Sequence, residues 1–467
     1  MQNIIYAAKE RMDLAYAALP KDYFFEKGPS NYRFNNITRF FERSPNSDKT
    51  IEDEIAAEVK SKQVSLYFGV PWCEKICSFC NFAYSTNSSE DTHRSYLRYL
   101  KSEFDIFKNI ADSQLNVGSI YFGGGTPTYL SPKSLSDYLS SFINDVSRCG
   151  ASPASITCEF STSTIDGEKL EILRKSGVTR ISTGVQSLDD KIRQQANLVG
   201  TGREAIQSLM LAKEFYDNFN VDLIYGHPYQ THQDWLSTVS EIADIGFPSI
   251  TLYRLEVKER TSFLKKFKKD ELVFVDEINA RTQYFIAREV LEQKGYVESP
   301  LGWWVKKETL VNTPSWTVHL SKWKQSSPYF GFGQGAFSLG TTLYYENAST
   351  LSQWERAIES GRLPGSKVIN IENHVQEVNQ LMRLIRTAKE FDLAQICQGS
   401  CLEKYYPYLN RFFLEQCNFG LAKYFGDKFQ LTEGGESLIH WIFDDLIFGL
   451  MNISSIENER NLIAVSS

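Results

Sequence analysis

Three cysteines, Cys73, Cys77 and Cys80, fall in the stretch SLYFGVPWCEKICSFCNFAY (65–84), spaced CxxxCxxC directly behind an apolar run. A structural zinc ion usually takes four protein ligands, and a disulfide joins two sulfurs. Three thiolates at this short spacing suit an iron–sulfur cluster, in the manner of the close-set cysteines of ferredoxins. On a four-iron cube they leave one iron without a protein ligand. That iron can take a small molecule, just as an open coordination position makes a metal site catalytic. A zinc site completed from a distance by Cys149 or Cys158 is the competing reading. The chain has eight cysteines in all. Cys149, Cys158 and Cys417 otherwise read as small buried apolar residues, and Cys397 and Cys401 repeat the first spacing without a third partner.

Further polar residues fall into place once the elements around them are traced. Short apolar runs recur at 64–70 (VSLYFGV), 119–124 (SIYFGG), 155–160 (SITCEF), 180–187 (RISTGVQS), 219–226 (FNVDLIYG) and 249–257 (SITLYRLEV). Between them, segments such as DTHRSYLRYLKSEFDIFKNIAD and SPKSLSDYLSSFINDV carry apolar residues at intervals of three and four, the period of an amphipathic helix. Six strands alternating with helices predict a parallel sheet with right-handed crossovers. The expected fold class is α/β, a partial (β/α)6 TIM-like barrel, with a doubly wound sheet as the alternative. In either layout the functional groups gather at the C-terminal ends of the strands. The cysteines follow the first strand, GGGTP (123–127) follows the second, Glu159 ends the third, Gln186 ends the fourth, and Asp222 lies in the fifth. One such coincidence would mean little, because loops collect Gly and polar residues anyway. Five on one rim point to a single site.

Composition bounds the rest. At 467 residues, 42% hydrophobic and 23% charged, the chain reads as an ordinary globular protein. A net charge of −7 gives no general pull toward nucleic acid. No apolar run is long enough for a membrane span, and charges stand where a secretory signal would carry its apolar core. The expected location is cytoplasmic, with no nucleic-acid or membrane partner. Expected divisions are an irregular N-terminal arm (1–62) ending in a short helix near 50–60, the barrel (63–260), a barrel extension on the substrate side (261–345), and a mostly helical C-terminal domain (346–467).

The cysteine motif, with Phe79 before its third cysteine, resembles the signature of the radical S-adenosylmethionine (SAM) superfamily. More narrowly, YFGVPWCEKICSFCNF, YFGGGTPTYL, GVTRISTGVQS, NVDLIYGHPYQT and HLSKWKQSSPYFGFGQGAFS are similar to the oxygen-independent coproporphyrinogen III oxidase group. That group includes the dehydrogenase, a heme chaperone and class C radical SAM methyltransferases. The resemblance implies a radical SAM barrel with a [4Fe–4S] cluster on Cys73, Cys77 and Cys80 and one or two molecules of SAM. It implies SAM contacts from Tyr67, Phe79, Gly124, Gly125, Thr126, Glu159, Gln186, Asp222 and Phe337. It further implies an oxidoreductase or methyltransferase acting on a tetrapyrrole-like substrate or heme, reduced by a flavodoxin or ferredoxin. Each residue also has an ordinary reading. GGGTP is a tight turn, Glu159 a helix cap, Asp222 a partner for a buried Arg, and Tyr67 and Phe337 core aromatics.

Departures from the group's pattern bear on the reaction. Phe82 stands where the dehydrogenase has a fourth cysteine. The SAM-contacting Arg expected twelve residues after Gln186 falls on Leu198, leaving Arg193 as a substitute. STST (161–164) replaces a small-residue motif, and His227 replaces an aliphatic residue. His227 reads either as a strand-end histidine bonded to a carbonyl or as a proton donor or acceptor. Trp303, Trp304, Trp316 and Trp323 read as packing, or as a wall for a flat aromatic substrate. Radical methylation is the favoured reading, with oxidative decarboxylation and heme delivery as alternatives.

Overall fold

The computed structural model describes residues 2–20, 23, 51–82, 85–86, 88–111, 115–258, 260–312 and 327–465. Six strands alternate with helices as the apolar runs predict: β1 (Val64–Val70), β2 (Val117–Gly124), β3 (Ser155–Phe160), β4 (Arg180–Gln186), β5 (Phe219–Tyr225) and β6 (Ser249–Arg254). They pair in sequence order, every pair parallel. Beyond β6 come β7 (Tyr296–Glu298) and β8 (Trp303–Lys306), which extend that edge antiparallel. On the other edge β9 (Tyr329–Phe332) runs parallel to β1, followed by antiparallel β10 (Phe337–Leu339), β11 (Leu343–Asn347) and β12 (Gly365–Asn370). The twelve strands run in one line from β12 to β7. Among the described residues the two edges do not pair, so the α/β barrel is open.

Alternation along each strand gives the sheet two different faces. Leu66, Phe68, Ile120, Phe122, Ile181 and Val221 point outward into the main core under the helices. There the Phe68 ring lies 4.2 Å from Phe142 and 5.1 Å from Phe332, and Tyr138 donates to the Phe68 carbonyl at 2.8 Å. The opposite positions are small or polar and face the lumen. Ser65 meets Ser119 at 2.9 Å, and Asn220 reaches Ser182, Asp222, Ser249 and Thr251.

The helices start where their caps dictate. Helix Pro132–Arg148 has Pro at its first turn and Ser131 accepting from the Ser134 N–H. Helix Glu90–Ile110 is capped by Ser89. The C-terminal region is mostly helical, with helices Asn373–Ala388, Tyr406–Asn418 and Ile439–Val465. It also holds a small antiparallel sheet of β13 (Glu390–Phe391), β14 (Ala422–Phe425) and β15 (Lys428–Leu431). Among the described residues no helix is long and apolar enough to cross a membrane.

One expectation needs correction. The arm does not begin irregularly: Gln2–Ala15 is a helix. Ala8 and Met12, one turn apart, are buried on one face, and the stretch contains no Pro or Gly to break it. Arg11 anchors this helix through Glu289, Glu292 and Glu433. The helix expected near 50–60 is present as Ile51–Ser61. The stretch 24–50 lies outside the described residues, as do Trp316 and Trp323.

Candidate SAM and iron–sulfur site

The cysteine loop leaves the C-terminal end of β1 and is stapled to its surroundings. Ser78 donates its N–H to Ala196 at 2.8 Å, and its carbonyl accepts from Phe263 at 2.9 Å. Asn197 donates to the Ile76 carbonyl at 2.8 Å. Trp72, just before Cys73, packs against His93 (4.5 Å) and Tyr96 (5.0 Å). The glycine turn after β2 supports the same loop. Gly125 N–H donates to Val70 at 2.6 Å and Thr126 N–H to Trp72 at 2.7 Å. A Cβ on Gly125 would overlap the Trp72 carbonyl. Gly124 adopts φ 106°, a conformation only glycine takes without strain. The N–H groups of Gly125 and Thr126 are thus spent on the cysteine loop, and the Thr126 carbonyl accepts from the Tyr129 N–H at 2.9 Å.

All three cysteines are free thiols. Burial pushes Cys73 up to about 11 and Cys77 up to about 12; each also feels Cys80, and Cys77 feels Cys73. The thiols therefore share one small region and would shed protons on binding metal. Cys73 Sγ lies 3.3 Å from Thr126 Oγ1, and the Phe82 N–H donates to Cys80 Sγ at 3.3 Å. Among the described residues no three His, Cys, Asp or Glu side chains are gathered as a single ion would need. A four-iron cube holds its thiolates farther apart, so an open three-thiol loop fits a cluster better than a zinc ion. Nor can the zinc alternative be completed as expected. Cys158 is fully buried in the apolar layer outside the sheet, and Cys149 ends helix Pro132–Arg148 at the far edge of the barrel.

Beneath the loop, five predicted residues share the lumen wall. Tyr67 stacks with Tyr121 and meets Tyr329, both at 5.9 Å, and Phe337 joins this aromatic group through Tyr329 at 5.5 Å. Glu159 accepts from the Tyr121 hydroxyl at 2.6 Å and from the Gly124 N–H. Burial, with Asp222 adding to it, raises Glu159 to about 7. Asp222 accepts from Asn220 at 2.7 Å and from Thr251, and burial raises it too. Gln186 sits at a break in the β4–β5 register with φ 67°. That backbone is strained for a non-glycine residue, and its side-chain oxygen is buried with no partner among the described residues.

Several expectations fare differently. Arg193 cannot serve a ligand as placed, because its guanidinium donates to the carbonyls of Val185, Ser187, Val199 and Gly200. Leu198 packs with Phe79 in an apolar cluster beside Ile224 and Phe263. His227 bonds only through its backbone, to Gln230: its ring is fully buried, and among the described residues neither ring nitrogen has a partner. Its ring lies 5.9 Å from Phe79, and burial with Arg254 nearby lowers it to about 3, so it is neutral. Trp304 is fully buried in the main core, whereas Trp303 pairs opposite Thr251 and lines the lumen, with the Arg180 guanidinium 5.8 Å from its ring.

Sequence reasoning missed Arg180. It lies in the lumen under Glu159 and Asp222, its guanidinium 5.8 Å from the Trp303 ring, with one nitrogen buried and without a partner among the described residues. The alternation in RISTGVQ, which puts Arg180 and Ser182 on one face, was the available signal. Tyr121 was missed for the same reason.

Residues 67–242 match the family model of the radical SAM superfamily, and the open barrel is a radical SAM domain. Within that class the chain is homologous to the oxygen-independent coproporphyrinogen III oxidases and to a heme chaperone. It is 23% identical to the Helicobacter pylori oxygen-independent coproporphyrinogen III oxidase over 80% of this chain and 84% of that protein. It is 28% identical to the Bacillus subtilis heme chaperone HemW over 58% of this chain and 70% of that one. The fold matches coproporphyrinogen III oxidase (HemN) from Escherichia coli with a TM-score of 0.72 at 20% identity, covering 84% and 92% of the two chains. A radical SAM domain implies binding of a [4Fe–4S] cluster and SAM.

Proposed function

We propose that the chain binds a [4Fe–4S] cluster through Cys73, Cys77 and Cys80, cleaves SAM reductively, and uses the resulting 5′-deoxyadenosyl radical to methylate a tetrapyrrole-like substrate with a second SAM. The observation that carries this reading is the gathering of three free thiols, the Tyr121–Glu159 pair and Gln186 at one end of the barrel. When bound, the cluster supplies the electron that breaks the S–C5′ bond of SAM.

The chain's own residues bind and orient. The Glu159 carboxylate and the Gln186 amide suit ribose hydroxyls, as acceptor and as mixed donor and acceptor. Asp222 and Glu159 together favour the sulfonium charge, with Arg180 beneath them limiting their mutual repulsion. Phe79 offers a flat apolar face to an adenine. Tyr67, Tyr121, Tyr329 and Phe337 form a wall that keeps water from the reacting carbon. Position governs such chemistry, because a loose radical attacks whatever it meets.

The tetrapyrrole class rests on the relatives, whose names concern a porphyrinogen and a heme. A second reading, heme delivery without turnover, is favoured by the HemW likeness and by Phe82 at the fourth-cysteine position. Anaerobic reaction with SAM, a reductant and either coproporphyrinogen or heme separates these readings. Paired 5′-deoxyadenosine and S-adenosylhomocysteine indicate methylation. 5′-Deoxyadenosine with carbon dioxide indicates decarboxylation, and stoichiometric heme binding without SAM cleavage indicates delivery.

A further inference from the structure

An electron must reach the cysteine loop from outside, and electron transfer weakens steeply with distance. A protein donor therefore has to dock on the surface touching that loop. One neighbouring element is helix Ser262–Phe267, whose Phe263 N–H is bonded to the Ser78 carbonyl between the second and third cysteines. This helix and the turn after it carry KKFKK (265–269), four lysines in five residues of a chain with net charge −7. All four are exposed, and among the described residues none forms an ion pair. Lys75, on the cysteine loop itself, is likewise exposed and unpaired.

Beside these cations lies apolar surface. Phe82, two residues past Cys80, is 60% exposed, and Phe267, within the lysine run, is 37% exposed. Lys258 stands 5.5 Å over the Phe82 ring and pairs with Glu256 at 3.1 Å, which bridges the loop to the segment leading into the helix. Phe267 set among unpaired lysines, with Phe82 under Lys258 nearby on the cysteine loop, gives the pattern of a small transient interface, apolar at its centre and charged at its rim.

We infer that the Lys265–Lys269 run, with Phe82 and Phe267, is the docking site for a small acidic one-electron carrier protein that reduces the cluster. This rests on the cluster assignment proposed above. The lysines steer an acidic partner that the rest of an acidic chain would repel. Their place beside Ser78 puts the docked carrier next to the cysteine loop.

The test compares the reconstituted full-length protein with a variant carrying Lys265→Glu, Lys266→Glu, Lys268→Glu and Lys269→Glu, and with Lys423→Glu on β14 as a control. Two readouts are taken: the affinity for a purified bacterial flavodoxin at low and at physiological salt, and 5′-deoxyadenosine formed with either flavodoxin or dithionite as reductant. The expected result is at least a tenfold loss of flavodoxin affinity at low salt and a flattened salt dependence. Flavodoxin-driven product falls in step, while dithionite-driven product and the Lys423→Glu control are unchanged. Unchanged flavodoxin affinity overturns the inference. A parallel loss of dithionite-driven product also overturns it, because the lysines then serve an acidic substrate. A wild-type protein that holds no cluster fails at the earlier step, visible as missing iron absorbance before any carrier is added.

Discussion

The Tyr121 hydroxyl on β2 donates to the Glu159 carboxylate on β3 at 2.6 Å, and the Gly124 N–H donates to the same group. Both bonds favour the charged form of a carboxyl that burial and Asp222 hold up at about 7. If Glu159 must be ionised to accept ligand hydroxyls, SAM affinity rises with pH through about 7 and then levels. Tyr121→Phe removes a bond to the ionised form, so the midpoint moves to higher pH. Glu159→Gln removes the dependence. Calorimetric titration of SAM across pH measures all three. Stability runs the other way. A carboxyl raised above its unfolded value of 4.5 contributes stability that is present below 4.5 and lost as pH rises through about 7. Glu159→Gln therefore gains on the wild type over that interval in urea unfolding.

Gly125→Ala tests the support under the cysteine loop. The added methyl meets the Trp72 carbonyl, a backbone atom that cannot turn aside. Iron incorporation falls several-fold while the circular dichroism spectrum stays that of the wild type. Gly167→Ala, where a Cβ meets nothing within 4 Å, leaves iron content unchanged. Equal iron in both variants would show that the glycine turn does not set the loop.

His227→Leu tests whether the orphan imidazole costs stability. Leaving two ring nitrogens buried and unpaired costs about 1–3 kcal/mol, so the variant is more stable by roughly that amount at neutral pH. A histidine lowered to about 3 holds stability above its ordinary value of 6.5 and loses it as pH falls through about 3. The acid slope of the wild type is steeper by up to about 1.4 kcal/mol per pH unit than that of the variant. A lower melting temperature for His227→Leu contradicts this assignment.

Much of this was legible in the sequence because it rested on period and punctuation. The six apolar runs became β1–β6 because each strand is buried against helices on its outer face, which forces apolar residues at alternate positions. The shared rim followed, since a parallel sheet brings all C-terminal ends together. What was not legible depended on contacts across the fold. Arg193 looked available until its four carbonyl partners were seen, and those partners surround it only once the β4 loop has formed. The His227 ring was open to a carbonyl partner in the sequence and among the described residues has none, a fact only packing reveals. The Gln2–Ala15 helix was hidden by the mixed composition of the arm around it, and its fixing salt bridges come from Glu289, Glu292 and Glu433, far along the chain.

Glu103 illustrates such a distant contact with a measurable cost. From helix Glu90–Ile110 it accepts from the Gly333 N–H at 2.9 Å, Asn347 at 2.7 Å and the Trp354 indole at 3.0 Å. It thereby fixes the turn that leads into Phe337. Glu103→Ala leaves three buried donors unpaired and costs about 3 kcal/mol or more in urea unfolding. A loss below about 1 kcal/mol would show that the turn is held by its other bonds.

On the proposed reading the three thiols hold a cluster that cleaves SAM. That reading is tested most directly by measuring 5′-deoxyadenosine after anaerobic reconstitution and reduction with dithionite, in the wild type and in Cys77→Ala. The expected result is 5′-deoxyadenosine from the wild type, and loss of both the iron absorbance and the product in the variant. Full iron content and undiminished 5′-deoxyadenosine in Cys77→Ala would contradict it, as would a fully loaded wild type that forms none.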